Sequence, residues 1–127
     1  MPTTAQLREA MARYAAVVGT RDADAYAALF TPDAVQMDPY PTGLHEGRDA
    51  IKAFMQQSFD ACEAMTFEVG EVHPVADKAA ITFHITVSLE GGATMHIRGV
   101  EVFTVTDEGL ISAVDAYWGD EDVTFDQ

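Results

Sequence analysis

Three side chains could do acid–base chemistry from unexpected places in this chain: Glu101, Asp38 and Tyr14. Glu101 lies in Arg98-Gly-Val-Glu101-Val-Phe-Thr-Val105, where Val and Phe at alternating positions predict a β-strand. Extended back to Met95, one face of that strand carries Met95, Ile97, Gly99, Phe103 and Val105, with Glu101 among them. A carboxyl group on an apolar face resists ionisation, and a neutral carboxyl can donate a hydrogen bond. At a sheet edge the same Glu101 would lean into water or pair with a buried cation, and parity does not choose between these. Asp38 ends a short strand and precedes Pro39, which favours an extended backbone. Strand ends beside loops commonly hold catalytic groups, although Asp-Pro is also an ordinary turn start. Tyr14 sits on an apolar helical stripe, one turn after Met11. Its buried hydroxyl needs a partner, and a backbone carbonyl would serve as well as a ligand.

Other chemistries are poorly supported. His84 and His96 fall on the outer face of one hairpin and could approach diagonally, but no third metal ligand is evident, and His45 and His73 fall in loops or strand ends. There is no G-x-S-x-G nucleophile elbow, no phosphate-cradling Gly-rich loop after a strand, and Cys62 has no arranged base. The single cysteine also excludes an intrachain disulfide and fits a reducing, cytoplasmic setting. A formal net charge of −14 disfavours nucleic acid, anionic membrane surfaces and polyanionic substrates, leaving a neutral, largely apolar ligand as the natural expectation. No signal-peptide core or membrane-length apolar run is present. Part of the charge, in Gly119-Asp-Glu-Asp122, reads as a solvated terminus.

The elements that must position these groups follow from periodicity. Thr3 or Thr4 caps a first helix with the stripe Leu7, Met11, Tyr14, Ala15 and Val18, closed by Gly19. Asp22 caps a second helix through about Phe30, with Tyr26, Leu29 and Phe30 inward. Thr31-Pro32-Asp33 reads as a turn before a short strand at 34–38, and a third helix spans 47–60. Four strands follow at about 65–73, 78–90, 93–106 and 109–118. This order predicts an α+β domain with helices on one face of an antiparallel sheet, and at 127 residues a single domain, 1–127. Phe83, Ile85, Val87 and Leu89 are odd-numbered, like the apolar set around Glu101. A two-residue loop at Gly91-Gly92 would pair odd with even positions, so burial predicts a three-residue loop or a bulge, with Glu101 on the concave side beside Phe83 and Ile85.

These residues, with Arg13-Tyr14, Ala28-Leu29-Phe30-Thr-Pro-Asp33-Ala34, Asp38-Pro39, Gly47-Arg-Asp-Ala-Ile51 and Val100-Glu101-Val-Phe103, give a chain that resembles the bacterial ketosteroid isomerases of the NTF2-like, or SnoaL-like, superfamily. The resemblance implies a cone: a strongly curved antiparallel sheet with three helices closing an apolar pocket, commonly as a homodimer and without a cofactor. It implies Asp38 as general base, with Tyr14 and a protonated Glu101 donating to the oxyanion of a small apolar ketone, a steroid. Phe54, Val87, Val114 and Trp118 would line the pocket, with Met55 and Phe83 beside them. A dehydratase, polyketide cyclase or epoxide hydrolase on the same scaffold, or a non-catalytic binding dimer, are the alternatives. Two departures stand out. Glu101 is one methylene longer than the family's usual Asp, and Met55 stands where a supporting tyrosine is often found, which would leave Tyr14 without a hydroxyl neighbour.

Overall fold

Capping and alternation account for most of the architecture, which a computed structural model describes over residues 1–126. Helix α1 (Thr4–Val18) starts at a reciprocal capping box: Gln6 N donates to Thr3 Oγ1 and Thr3 N to Gln6 Oε1. Its buried stripe is Leu7, Ala10, Met11, Tyr14 and Val18. Helix α2 (Ala23–Ala27) is capped by Asp22, which accepts from Asp24 N and Ala25 N. It is shorter than its sequence suggests because Phe30 is drawn into the sheet, pairing with Ile111, while Leu29 O accepts from Ile111 N.

The remaining elements are β1 (Phe30–Met37), β2 (Leu44–Glu46), α3 (Arg48–Asp60), β3 (Ala64–Val75), β4 (Lys78–Ser88), β5 (Thr94–Val105), β6 (Ile111–Tyr117) and β7 (Val123–Asp126). They form one sheet in the order β2-β1-β6-β5-β4-β3, with β7 added to β5. Three details differ from the sequence reading. Thr31-Pro32-Asp33 lies within β1, as a bulge: pairing jumps from Phe30↔Ile111 to Val35↔Ala113. The β1–β6 pair is parallel, so the sheet is mixed, with every other pairing antiparallel. The acidic stretch at Gly119–Asp122 is solvated as expected, but it is ordered rather than a free terminus. It makes a 3₁₀ turn at Asp120–Asp122, and β7 then pairs with Thr94–Ile97, a stretch of β5 that β6 leaves uncovered.

The β4–β5 register pairs odd with odd positions, Phe83↔Gly99 and Ile81↔Glu101 among them. Leu89 N donates to Ala93 O, closing the three-residue loop Glu90-Gly91-Gly92. Burial of both apolar sets on one face requires this loop, and the positive φ of Gly91 and Gly92 permits it. Curvature comes from register shifts in β3, between Val69 and Val72, and in β6 at Ser112, opposite Thr104 and Val105 of β5. The helices pack on the concave side, where Tyr14 meets the rings of Phe67 and Phe103 at centroid distances of 5.1 and 4.9 Å. Among the described residues, no helix is long and apolar enough to cross a membrane.

Candidate active site

Two strands and a loop bring the carboxyl groups together. Glu101 on β5 pairs with Ala116 on β6, and Met37↔Asp115 on the other side of β6 places Asp38, one residue on, beside the same alanine. Asp38, Ala116 and Glu101 thus fall in one row on the inner face, the two acids on either side of Ala116. Strands are about 4.8 Å apart, so the backbones carrying the acids are roughly 10 Å apart, close enough for their charges to interact in a dry interior.

Asp38 is held from three directions. Its N–H donates to Gly43 O (2.8 Å), Gly43 N donates back to Pro39 O (2.8 Å), and Tyr40 N donates to Ala116 O (2.8 Å), tying the 38–43 loop to β6. Gly43 packs so closely that a Cβ there would overlap the Asp38 carbonyl. The indole Nε1–H of Trp118, just beyond β6, donates to Asp38 Oδ1 (2.8 Å), which leaves the second carboxylate oxygen uncommitted. Burial raises the Asp38 carboxyl above the ordinary aspartate range, and the Trp118 hydrogen bond and nearby His45 only partly offset it.

Glu101 is 2% exposed, and its Oε2 has no hydrogen-bond partner among the described residues. It faces no cation. Burial, reinforced by the charge of Asp38, drives its pKa well above the glutamate range and so favours the neutral form. Tyr14 is equally buried, and its hydroxyl lies 2.9 Å from that of Tyr26, which accepts a hydrogen bond from Gln36 Nε2 (2.9 Å). Burial pushes both phenols far above the usual tyrosine value, so both keep their protons. Met55 therefore does not leave Tyr14 without a hydroxyl neighbour, contrary to the sequence expectation: Tyr26, from α2, supplies it.

Below the helices opens a cavity of about 370 Å³. Of the residues expected around a ligand, Asp38, Phe54, Met55, Val87 and Trp118 form its wall. Phe83 and Val114 do not; they are core residues at 4% and 1% exposure. Tyr14 and Glu101 lie outside the wall as well, and Asp38 links them to it, because its charge acts on both. Asp38 is the one ionisable carboxyl on a wall otherwise built from apolar groups, Ser58 and the Cys62 thiol, so the cavity suits a small apolar ligand. The flexible side chains of Met55, Met65 and Met95 also line it and can yield to a ligand.

Sequence reading missed Gln36, fully buried, and the role of Tyr26. The signal for Gln36 was present, since alternation puts it on one face with Ala34 and Asp38. His45, expected in a loop or strand end, lies in β2, pairs with Gln36 across β1–β2 and stacks on Phe54 at 4.1 Å. On the opposite face His84 and His96 do meet, Nε2 to Nδ1 at 2.8 Å. Among the described residues no set of three His, Cys, Asp or Glu side chains is arranged to hold a metal.

Known proteins are similar to this chain in sequence and fold. Residues 11–114 match the SnoaL-like domain family. The chain is 32% identical over 120 residues to a steroid Delta-isomerase of Nocardioides simplex, covering 94% of this chain and 95% of that one. It is similar in structure to an epoxide hydrolase/cyclase-like enzyme of pyran-ring formation in salinomycin, with a TM-score of 0.88 and 27% identity over 97% of this chain and 98% of the other. It is also similar to a Mycobacterium tuberculosis protein solved with estradiol-17β-hemisuccinate, with a TM-score of 0.83 and 26% identity over 94% and 98% of the two chains. The chain belongs to the SnoaL-like domain family, and its full-length likeness to an isomerase places it among the isomerases of that family.

Proposed function

We propose that this protein is a steroid Δ5-isomerase that converts a 3-oxo-Δ5-steroid to the conjugated 3-oxo-Δ4-steroid. The observation that carries the reading is a division of labour between two carboxyl groups. Asp38 stands on an apolar cavity wall with one oxygen held by Trp118, while Glu101, beyond Ala116, is buried with its pKa driven upward. In a β,γ-unsaturated ketone, the carbon between the carbonyl and the double bond carries the acidic proton. Asp38 removes it, and negative charge moves to the ketone oxygen. Tyr14 and neutral Glu101 lie outside the cavity wall, so in this reading the ligand carbonyl pushes past the wall beside Asp38 to reach them. Both then donate to that oxygen, where a low dielectric makes each hydrogen bond worth more than in water. Asp38 then returns the same proton to the γ carbon, completing the enone with no cofactor. A raised Asp38 pKa narrows the gap to the carbon acid and so favours transfer.

The same pair also favours a second reading, epoxide opening, with Glu101 as the acid and Asp38 as the base; the salinomycin enzyme's similarity supports it. Incubation with a Δ5-3-ketosteroid separates the two, since only isomerisation produces conjugated-enone ultraviolet absorbance. Asp38→Asn is expected to lose about 10³-fold in turnover while still binding a steroidal phenol. No enone signal from wild-type protein at high enzyme concentration removes the isomerase reading.

We infer further that residues 1–127 act as one domain, in a cytoplasmic setting that the lone Cys62 thiol fits, and as a homodimer. Support for the dimer comes from an exposed apolar patch on the outer face, where Tyr40 and Tyr117 lie 5.4 Å apart and Val100 pairs with Tyr117.

A further inference from the structure

We propose that Gln36 is a positioning residue that sets the direction of the Gln36–Tyr26–Tyr14 hydrogen-bond chain, leaving the Tyr14 proton for the ligand oxygen. The inference rests on the isomerase reading, because it assigns that proton a use.

A phenol hydroxyl has one proton to give, so a chain of two phenols runs in one of two directions. In one, Tyr26 donates to Tyr14, and the Tyr14 proton is available. In the other, Tyr14 donates to Tyr26, and no proton remains for a ligand. The 2.9 Å separation of the hydroxyls accommodates either. Gln36 breaks the tie. The turned-over amide would reverse the chain, and the cycle below distinguishes the two orientations. In the present orientation its Nε2 lies 2.9 Å from Tyr26 Oη, where an amide N–H can only donate, while its buried Oε1 has no partner among the described residues. Tyr26 therefore accepts from Gln36 and must send its own proton elsewhere, and Tyr14 Oη is the acceptor within reach. The reverse direction would strand the Tyr26 proton between two donors, in a site where Tyr26 and Gln36 are both fully buried.

Location supports the same role. Gln36 pairs with Val114 on β6, and Val114 with Phe103 on β5, so Gln36 occupies the row adjacent to the one formed by Asp38, Ala116 and Glu101. A fully buried amide is costly unless its hydrogen bonds do something an apolar side chain cannot. Tyr26 is held by ring contacts with Phe30 and Phe59, at 5.1 and 6.3 Å, so its hydroxyl is fixed in place and only the orientation of its proton is free.

A double-mutant cycle with Gln36→Met, which keeps side-chain length without the donor, and Tyr26→Phe tests this. In the wild-type background, Gln36→Met is expected to lower kcat by about five- to tenfold with KM nearly unchanged, because the oxyanion charge develops only in the transition state. In the Tyr26→Phe background the same change should cost less than about twofold, since Gln36 acts through Tyr26 alone. Affinity for a series of substituted phenols repeats the cycle without turnover, and thermal melts confirm that each variant folds. Equal losses in both backgrounds, or a loss confined to KM or to the melting temperature, overturn the proposal. If wild-type protein forms no enone, the isomerase reading fails, and the phenol cycle still judges the direction of the chain.

Discussion

The sheet carries a polar cluster on each face, and the two behave differently. On the outer face, Glu68, His84, His96 and Asp126 link across β3, β4, β5 and β7, with His84–His96 and His96–Asp126 contacts of 2.8 Å and a looser Glu68–His84 contact of 3.6 Å. Each carboxylate there has a basic partner and open water, with Glu68 and Asp126 side chains 68% and 71% exposed. On the inner face, Asp38, Glu101, Tyr14, Tyr26 and Gln36 meet without any Lys or Arg, and Glu101 is almost sealed. The chemical types overlap; the surroundings do not. The outer groups are solvated and paired, whereas burial without a cation disfavours the charged form of Glu101.

This contrast predicts unequal sensitivity to mutation. The largest effect should follow Glu101→Leu, which removes an oxyanion donor and is expected to lower kcat by about 10²- to 10³-fold while steroid binding survives. Glu101→Gln keeps an N–H donor and should lose markedly less in the same steady-state assay. Next comes Gly43→Ala, remote from the ligand: its methyl group would push on the Asp38 carbonyl and displace the base, costing roughly 10- to 100-fold in kcat/KM.

Smaller effects depend on pH. Asp38 must be ionised to act and burial raises its pKa, so the acid limb of kcat/KM should inflect above the ordinary aspartate range. Glu101 has the same direction of shift, with a consequence for stability. Its folded pKa lies above its unfolded value, so its contribution is whole at low pH and drains away as pH rises toward the folded pKa, because the unfolded chain releases the proton first. Melts of wild type against Glu101→Gln should therefore diverge with rising pH, the wild type losing stability relative to the variant. The smallest effect is expected at the outer face, where His84→Ala should change stability by no more than about 0.5 kcal/mol and leave turnover intact. A large loss there would break the contrast between the two faces.

Much of this was legible before any coordinates. Odd–odd parity across the Gly91-Gly92 loop placed Glu101 with Phe83 and Ile85, and the register agrees, because burial of two apolar sets admits no other pairing. The helix caps at Thr3 and Asp22 were equally readable, being local chemistry. The partner of Tyr14 was not. Met55 suggested an isolated hydroxyl, and only the packing of α2 against α1 reveals Tyr26 at 2.9 Å. Phe83 and Val114 share the apolar parity of the ligand-facing residues but lie in the core, since parity assigns a face and not a depth. The β7 strand was hidden for a related reason: its pairing is made by backbone atoms on an edge that exists only once β6 stops short.

The sequence by itself determined which groups could do chemistry, which face each occupies and where the helices begin, because periods of 2.0 and 3.6 residues and capping act over a few residues. Tertiary structure alone decided that Asp38 and Glu101 flank one alanine, that Trp118 holds the base, and that Tyr26 and Gln36 stand behind Tyr14. Those relations join residues distant along the chain, and their protonation follows from burial, which a solvated linear sequence does not possess.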